Sequence, residues 1–155
     1  MKILLAIDGS ACSDAAVEEV ARRPWPEETE VRIVSVVEPT GALVAEPYIG
    51  AVDYFDEVER INQRQAEAAV ARTTEALSAN NRLQVTTEVR HGSAKGAIVE
   101  AAEEWDADLI VVGSHGYHTW ERMLLGSVSQ AVAAHAACSV MIVRCRRKEQ
   151  CAAAA

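Results

Sequence analysis

The residues best suited to chemistry form two glycine turns in the second half of the chain. Gly113-Ser114-His115-Gly116 is the first, and nine residues later Gly126-Ser127 comes directly before a segment of helical period. Glycine lets backbone N–H groups approach a ligand closely, because it carries no Cβ. A helix that begins at Ser127 also offers unpaired N–H donors and the positive end of its dipole. The pattern predicts that the two turns cradle a polyphosphate between them.

A further turn with chemical potential lies near the start of the sequence. Asp8-Gly9-Ser10 follows an apolar run and places a carboxylate and a glycine turn before a helical segment. Ligands of open parallel sheets bind at the carboxyl ends of strands, where the strand order reverses. If the first and fourth strands are neighbours, Asp8 and Gly113 face the same crevice.

Five segments have the composition of β-strands, and stretches of helical period separate them. This alternation is typical of a parallel sheet with crossover helices. The third segment alternates apolar and polar residues, which indicates an edge strand, whereas the other four are nearly continuous apolar runs. We therefore predict an α/β fold with a five-stranded parallel sheet and helices on both faces. We take the strand order as 3-2-1-4-5, which puts the third strand at an edge and the first and fourth strands side by side. The predicted strands are Lys2–Ile7, Val31–Val37, Leu83–Val89, Leu109–Val112 and Ser139–Val143.

Apolar stripes of helical period predict helices that pack on the sheet. The longest predicted helix extends from about Val52 to Leu77 and leads to the third strand. His135 falls on the apolar stripe of the last helix, which predicts a buried histidine. Ser127, with Gln130 three residues later, predicts a capping box at the start of that helix.

Length and composition predict one soluble domain. The chain has 155 residues, of which 50% are hydrophobic, and this is enough for one substantial core. We assign residues 1–146 to the domain and residues 147–155 to a flexible C-terminal tail. The first apolar run is shorter than a signal-peptide core or a membrane span, so we expect a cytoplasmic protein without membrane binding. The formal net charge of −8 disfavours nucleic acid as a partner.

The cysteines form no Cys-x-x-Cys pair. This spacing predicts reduced thiols and disfavours a disulfide scaffold or a zinc site. The four positions are Cys12, Cys138, Cys145 and Cys151.

The glycine turns resemble the ATP-binding signature of the universal stress protein family. The spacing Gly-x-x-Gly, nine residues, Gly-Ser matches that signature without a gap. The opening Ala6-Ile7-Asp8-Gly9-Ser10 and the segment Ser35-Val36-Val37-Glu38-Pro39 are similar to the family as well. The resemblance extends from Lys2 to about Arg144 and implies a Rossmann-like fold of the adenine nucleotide alpha hydrolase-like type.

The resemblance also implies a ligand, ATP with Mg²⁺ or Mn²⁺, and a set of residues around it. Asp8 would contact the ribose or a phosphate-bound cation, and Gly113 would serve the ribose. The adenine would lie against Ile7, Val36 and Val112. Backbone or hydroxyl donors to the phosphates would come from Gly116, Gly126, Ser127 and Val128, with Ser10 as a further candidate at the same end of the ligand.

These residues are compatible with two kinds of function. The first is a nucleotide-responsive regulator of stress adaptation, in which ATP shifts the loop 117–125 or a dimer and a partner protein, whose identity the sequence leaves open, reads that state. The alternative is a slow ATPase or a self-phosphorylating enzyme that uses Asp8 with Mg²⁺ and Ser127 as acceptor. The sequence has no Walker lysine and no arginine cluster, which favours the regulator over the enzyme.

Other interpretations fit the residues less well. His115 and His118, with Asp8 nearby, suggest a divalent metal site, although histidines in a polar glycine loop are more often solvated. A dinucleotide fingerprint needs three glycines where Asp8-Gly9-Ser10 has one. A phospho-acceptor domain of similar topology would need a lysine after the fifth strand, where Arg144 stands.

The last predicted strand suggests how the chain assembles. The resemblance implies a homodimer in which the last strands pair antiparallel across a two-fold axis. Ser139–Val143 is an apolar strand that would otherwise leave an exposed edge. We therefore expect a homodimer with Met141 near the axis.

Overall fold

The chain forms alternating strands and helices in a computed structural model. The structure describes residues 1–39, 51–79, 82–116 and 125–145, and for residues 51–56 it describes the backbone alone. The predicted tail at 147–155 lies outside these ranges. In chain order the elements are β1 (Lys2–Ile7), α1 (Ala11–Arg22), β2 (Thr29–Val37), α2 (Ala51–Ser78), β3 (Leu83–His91), α3 (Ala94–Glu104), β4 (Leu109–Gly113), α4 (Ser127–His135) and β5 (Ser139–Val143).

The strands form one parallel sheet in the order β3-β2-β1-β4-β5, which confirms the predicted order. β1 is the central strand, and its residue Ala6 pairs with Val34 of β2 on one side and with Val112 of β4 on the other. The strand order reverses at this point, because β2 and β3 lie on one side of β1 and β4 and β5 lie on the other. The carboxyl ends of β1 and β4 therefore lie side by side, where open sheets of this kind bind ligands.

Helices cover both faces of the sheet. Successive residues of β1 point to opposite faces, so alternate residues pack against different helices. Ile3 and Leu5 pack with α1 and α2, whereas Leu4 and Ala6 pack with α3 and α4. Ile3, Leu4 and Leu5 are each 0% exposed. Full burial of such a side chain contributes about 1.5–3 kcal/mol to the free energy of unfolding. These two layers hold the carboxyl ends of β1 and β4 in place.

The predicted strand boundaries agree closely with the structure at β1 and β5. β2 begins at Thr29, two residues before the predicted start, because the Thr29 side chain is fully buried and its hydroxyl donates to the Pro26 carbonyl at 2.7 Å. β4 extends by one residue to Gly113, which pairs with Val143 of β5. β3 is an edge strand, as predicted.

His135 is exposed, so the prediction of a buried histidine is wrong. α4 ends at this residue, and the His135 Nδ1 atom lies 2.8 Å from the Ala131 carbonyl oxygen. The side chain thus belongs to the end of the helix and does not contribute to its apolar stripe.

A disulfide joins Cys12 to Cys145, so the prediction of reduced thiols is wrong for this pair. The two residues are 133 positions apart in the sequence, and their Cα atoms are 4.6 Å apart. Local spacing could not reveal the pair, because the fold alone brings the start of α1 to the end of β5. Cys138 is a free thiol, and burial raises its pKa.

No helix within the described ranges is long and apolar enough to cross a membrane.

Candidate nucleotide site

The candidate site is built at the carboxyl ends of β1 and β4. Asp8 follows β1 directly, and Gly113 is the last residue of β4. Parallel pairing of the two strands aligns Ala6 with Val112, so the turns that follow emerge side by side. The structure therefore brings together the two turns that the sequence placed in one crevice.

The Asp8 side chain is held by the turn that begins α1. Asp8 is exposed, and its Oδ1 atom accepts a hydrogen bond from the Ser10 backbone N–H at 2.9 Å. Gly9 adopts a positive φ of 81°, which glycine tolerates without strain. Ser10 is the N-cap of α1, and its hydroxyl oxygen accepts from the Ser13 N–H at 3.3 Å. These contacts fix the direction of the Asp8 carboxylate.

Gly116 lies directly against that carboxylate. A Cβ atom added to Gly116 would lie 2.6 Å from Asp8 Oδ2, closer than the atoms of a real side chain approach. The Ser10 hydroxyl donates to the carbonyl of the adjacent His115 at 3.3 Å. Asp8 and the end of the first glycine turn thus form one continuous surface.

Gly113 has a different function in the fold, because its missing side chain makes room for α1. A Cβ atom on Gly113 would lie 2.7 Å from both the carbonyl carbon and the carbonyl oxygen of Cys12, and 2.9 Å from the Ser13 nitrogen. All three are backbone atoms, which cannot rotate away. The close approach of α1 to β4 therefore requires glycine at this position.

Gly126 holds the start of α4 against the first glycine turn. Its N–H donates to the Ser114 carbonyl at 2.8 Å, and a Cβ atom here would lie 3.2 Å from that carbonyl oxygen and 3.3 Å from His115 Cα. The hydroxyl of Ser129 lies 3.0 Å from the carbonyl oxygens of both Gly113 and Ser114. The two glycine turns are thus adjacent, as predicted.

The predicted capping box at α4 is wrong. Gly126 is the N-cap and has no side chain that could make a capping hydrogen bond, and Ser127 is the first helical residue. The Gln130 side chain instead donates to the Leu125 carbonyl at 3.2 Å. Ser127 is exposed, and the first turn of α4 contains no acidic residue. This helix end therefore retains the N–H groups and positive dipole end that suit an anion.

The apolar candidates divide between the two faces of the sheet. Val36, Val112 and Val128 all pack in the layer formed with α3 and α4, and Val36 and Val128 are half-buried. The Ile7 side chain packs in the opposite layer, with α1 and α2. Three of the four apolar candidates thus share a face, whereas Ile7 offers the crevice only its backbone.

The two walls of the crevice differ in charge. Partial burial raises the pKa of Asp14 in the first turn of α1; the Arg72 guanidinium lowers it and the Asp8 charge raises it. The Asp8 carboxylate lies at the start of α1, whereas the first turn of α4 contains no acidic residue. A phosphate group would favour the α4 wall.

The interpretation of His115 and His118 as a metal site receives no support from the described residues. Within them, no group of three or more His, Cys, Asp and Glu side chains could hold a metal ion. His118 lies outside those ranges. His115 Nδ1 lies 3.0 Å from the hydroxyl of Ser114.

Three serines in this region were missed by sequence reasoning. All are at most 3% exposed, and their hydroxyls lie within hydrogen-bond distance of atoms in the turns or of a neighbouring side chain. Their only signal in the sequence is a small polar residue close to a glycine turn. They are Ser13, Ser114 and Ser129.

A groove elsewhere in the molecule does not suit a nucleotide. It has a volume of about 580 Å³ and lies between α2 and β3, away from the glycine turns. Glu67 and Glu75 are among its lining residues, which include no lysine or arginine in the described part of the chain. This acidic lining would repel a phosphate.

The sequence and the fold both match known proteins. The sequence pattern of the universal stress protein family matches residues 1–144. Universal stress protein MJ0531 from Methanocaldococcus jannaschii is 32% identical over 148 residues, which cover 96% of this chain and 84% of that protein.

Two solved structures resemble the fold. A universal stress protein family protein from Arabidopsis thaliana with AMP bound has a TM-score of 0.72 and 17% identity, and the match covers 96% of this chain and 94% of that one. A universal stress protein in complex with cAMP has a TM-score of 0.64 and 24% identity, over 94% of this chain and 98% of that one.

At such identities the likeness of the structures shows the fold alone. The sequence match, in contrast, extends over nearly the whole chain and includes both glycine turns. The chain therefore belongs to the universal stress protein family.

Proposed function

We propose that this protein binds ATP in the crevice between Asp8 and the glycine turns, and acts as a nucleotide-responsive regulator in stress adaptation. The observation that carries the proposal is the joining of Asp8, Gly116 and the start of α4 into one surface. The AMP and cAMP complexes of two proteins of similar fold support an adenine nucleotide as the ligand.

The phosphates would lie at the start of α4. The helix begins at Ser127 with glycine at its N-cap and no acidic residue in its first turn. Backbone donors at a helix N-terminus bind phosphate even where the surrounding surface is anionic. The helix end would thus attract phosphate locally, although the net charge of the chain is −8.

Asp8 would then contact a group other than a bare phosphate. Two anions in contact repel each other, so a carboxylate next to a triphosphate needs either a cation or hydroxyl donors between them. Mg²⁺ prefers carboxylate and phosphate oxygens, and Mn²⁺ has similar preferences, whereas the ribose supplies hydroxyls. Asp8 would therefore hold a phosphate-bound cation or the ribose, and Ser10, which fixes the Asp8 carboxylate, would act through it.

The adenine would lie against Val36 and Val112, and Val128 in the first turn of α4 would face the phosphates. Ile7 would contribute its backbone, because its side chain packs in the opposite layer. The sequence has no Walker lysine and no arginine cluster, which favours binding with slow or no hydrolysis over phosphoryl transfer. Arg122 lies outside the described residues.

Calorimetric titration with ATP, ADP and AMP, each with Mg²⁺, tests the proposal. We expect the affinity to fall about tenfold for each phosphate removed, because each loses charge-assisted hydrogen bonds. ATP should remain intact in the same sample. Equal affinities for the three nucleotides would contradict the phosphate cradle, and rapid release of phosphate would favour the enzyme.

We propose further that two chains pair through β5. β5 is an edge strand in the described sheet, and its four residues from Val140 to Val143 are only partly buried. An antiparallel partner strand would satisfy the open edge, with Met141 near the axis. Sedimentation at micromolar concentration should give twice the chain mass of 16.7 kDa. A single-chain mass would contradict the dimer.

A further inference from the structure

The disulfide lies beside the candidate nucleotide site. Cys12 is in the first turn of α1 and is 4% exposed, whereas Cys145 follows β5 by two residues and is half-buried. The bond therefore connects the start of α1, which follows Asp8 and Ser10, to the end of the last strand.

The start of the first glycine turn lies between the two segments that the disulfide joins. The Cys12 carbonyl would lie 2.7 Å from a Cβ atom on Gly113, and the Ser114 hydroxyl lies 3.8 Å from Cys12 Sγ. The Ser114 N–H donates at 2.7 Å to the carbonyl of Val143, two residues before Cys145. Gly113 and Ser114 are thus held between the two segments that the disulfide joins.

We infer that Cys12 and Cys145 form a reversible dithiol–disulfide site whose oxidation state sets the affinity of the crevice for ATP. The inference rests on the proposed function, because it names the regulation of the same site. With the bond intact, α1 and β5 hold Gly113 and Ser114 in the arrangement that positions the Gly126 turn. Preorganised donors bind more tightly, so the oxidised form has the higher affinity.

Exposure decides which sulfur reacts. In reduction, the thiolate of a low-molecular-weight thiol attacks the more accessible Cys145 Sγ, the protein S–S bond breaks, and Cys12 leaves as a thiolate that takes up a proton. A second reagent thiolate then attacks the reagent sulfur of this mixed disulfide, displaces Cys145 as a thiolate that takes up a proton, and forms the reagent disulfide. Two electrons pass to the protein and two thiols result. The start of α1 stabilises the leaving Cys12 thiolate, although Asp14 in the same turn offsets part of this effect.

Oxidation by a low-molecular-weight disulfide is the reverse exchange. The Cys145 thiolate attacks the reagent disulfide, one reagent thiolate leaves, and a mixed disulfide forms. Cys12 then attacks Cys145 Sγ and releases the second reagent thiolate. Both released thiolates take up the protons that the protein thiols gave up, so the protein loses two electrons and the reagent gains them.

The first arm of the test asks whether the bond exchanges in the folded protein. The full chain carrying Cys138→Ser and Cys151→Ser is equilibrated with mixtures of reduced and oxidised glutathione, and the remaining thiols are alkylated and counted by mass. We expect both thiols to appear together, as a two-electron couple, while the protein remains folded by circular dichroism. A bond that opens only in denaturant, or a pair that never forms, would overturn the inference.

The second arm measures ATP affinity in both states. We expect reduction to weaken binding about five- to tenfold, at the lower end of typical coupling between sites. Cys145→Ser should show the weak affinity in either buffer, whereas Cys138→Ser alone should behave as the native chain. By linkage, saturating ATP should shift the glutathione equilibrium toward the disulfide by the same factor.

The outcomes separate the two proposals. A reversible couple with equal ATP affinity in both states overturns the regulation and leaves the proposed function in place. If ATP binds in neither state, both fall.

Discussion

Gly113→Val will destabilise the fold by about 3 kcal/mol, because overpacking against atoms that cannot move costs this much. The nearest obstacles to a Cβ atom are the Cys12 carbonyl at 2.7 Å and the Ser13 nitrogen at 2.9 Å. Both belong to the first turn of α1, so the helix must move away from β4 as a unit. Urea unfolding, with the free energy of unfolding taken from the midpoint and slope, measures the loss.

Gly96→Ala is the matched control for this prediction. Gly96 lies within α3, and a Cβ atom there would meet only the flexible end of Glu100 at 3.8 Å. Alanine is the better helix former, so this variant should be more stable by about 0.5–1 kcal/mol. If Gly113→Val unfolds at the same urea concentration as the native chain, α1 does not pack on the end of β4 as described.

Gly116→Val will weaken ATP binding about 100-fold and will leave the fold nearly unchanged; this loss corresponds to about 2.7 kcal/mol. Gly116 is exposed, and a Cβ atom there would lie 2.6 Å from Asp8 Oδ2, the end of a side chain. The carboxylate must turn away, and the valine methyl groups would occupy the space assigned to the phosphates. Calorimetry with ATP and Mg²⁺ measures the affinity, and urea unfolding verifies the fold.

A further variant, Asp8→Asn, tests which part of the ligand the Asp8 carboxylate contacts. Asp8→Asn keeps an acceptor for the Ser10 N–H but removes the charge. If Asp8 holds the cation, this variant should bind ATP with little dependence on Mg²⁺, and if it contacts the ribose, the dependence should persist. Gly96→Ala again serves as the control and should bind as the native chain does. Unchanged ATP affinity in Gly116→Val would contradict a phosphate position beside this residue.

The individual strands could be predicted from the sequence because their signals are local. β1 is a continuous apolar run because both of its faces are covered, and β3 alternates because it lies at an edge. The glycine turns were equally visible, since close backbone approach at Gly113 and Gly126 leaves no room for a side chain.

The errors arose where the answer depends on tertiary contacts. Ser127 and Gln130 have the spacing of a capping box, but Gly126 is drawn into the N-cap position by its hydrogen bond to the Ser114 carbonyl. His135 has the period of the apolar stripe, but α4 ends there. Cys12 and Cys145 meet only because the pairing of β5 with β4 brings the residues after β5 beside the start of α1. No local pattern contains that information.

A crystal structure grown with ATP and Mg²⁺ in excess tests the central claim most directly. We expect density for the triphosphate between Gly116 and the first turn of α4, with the adenine on the side of Val36 and Val112. A crevice filled by side chains, with the nucleotide absent or bound elsewhere, would contradict the account.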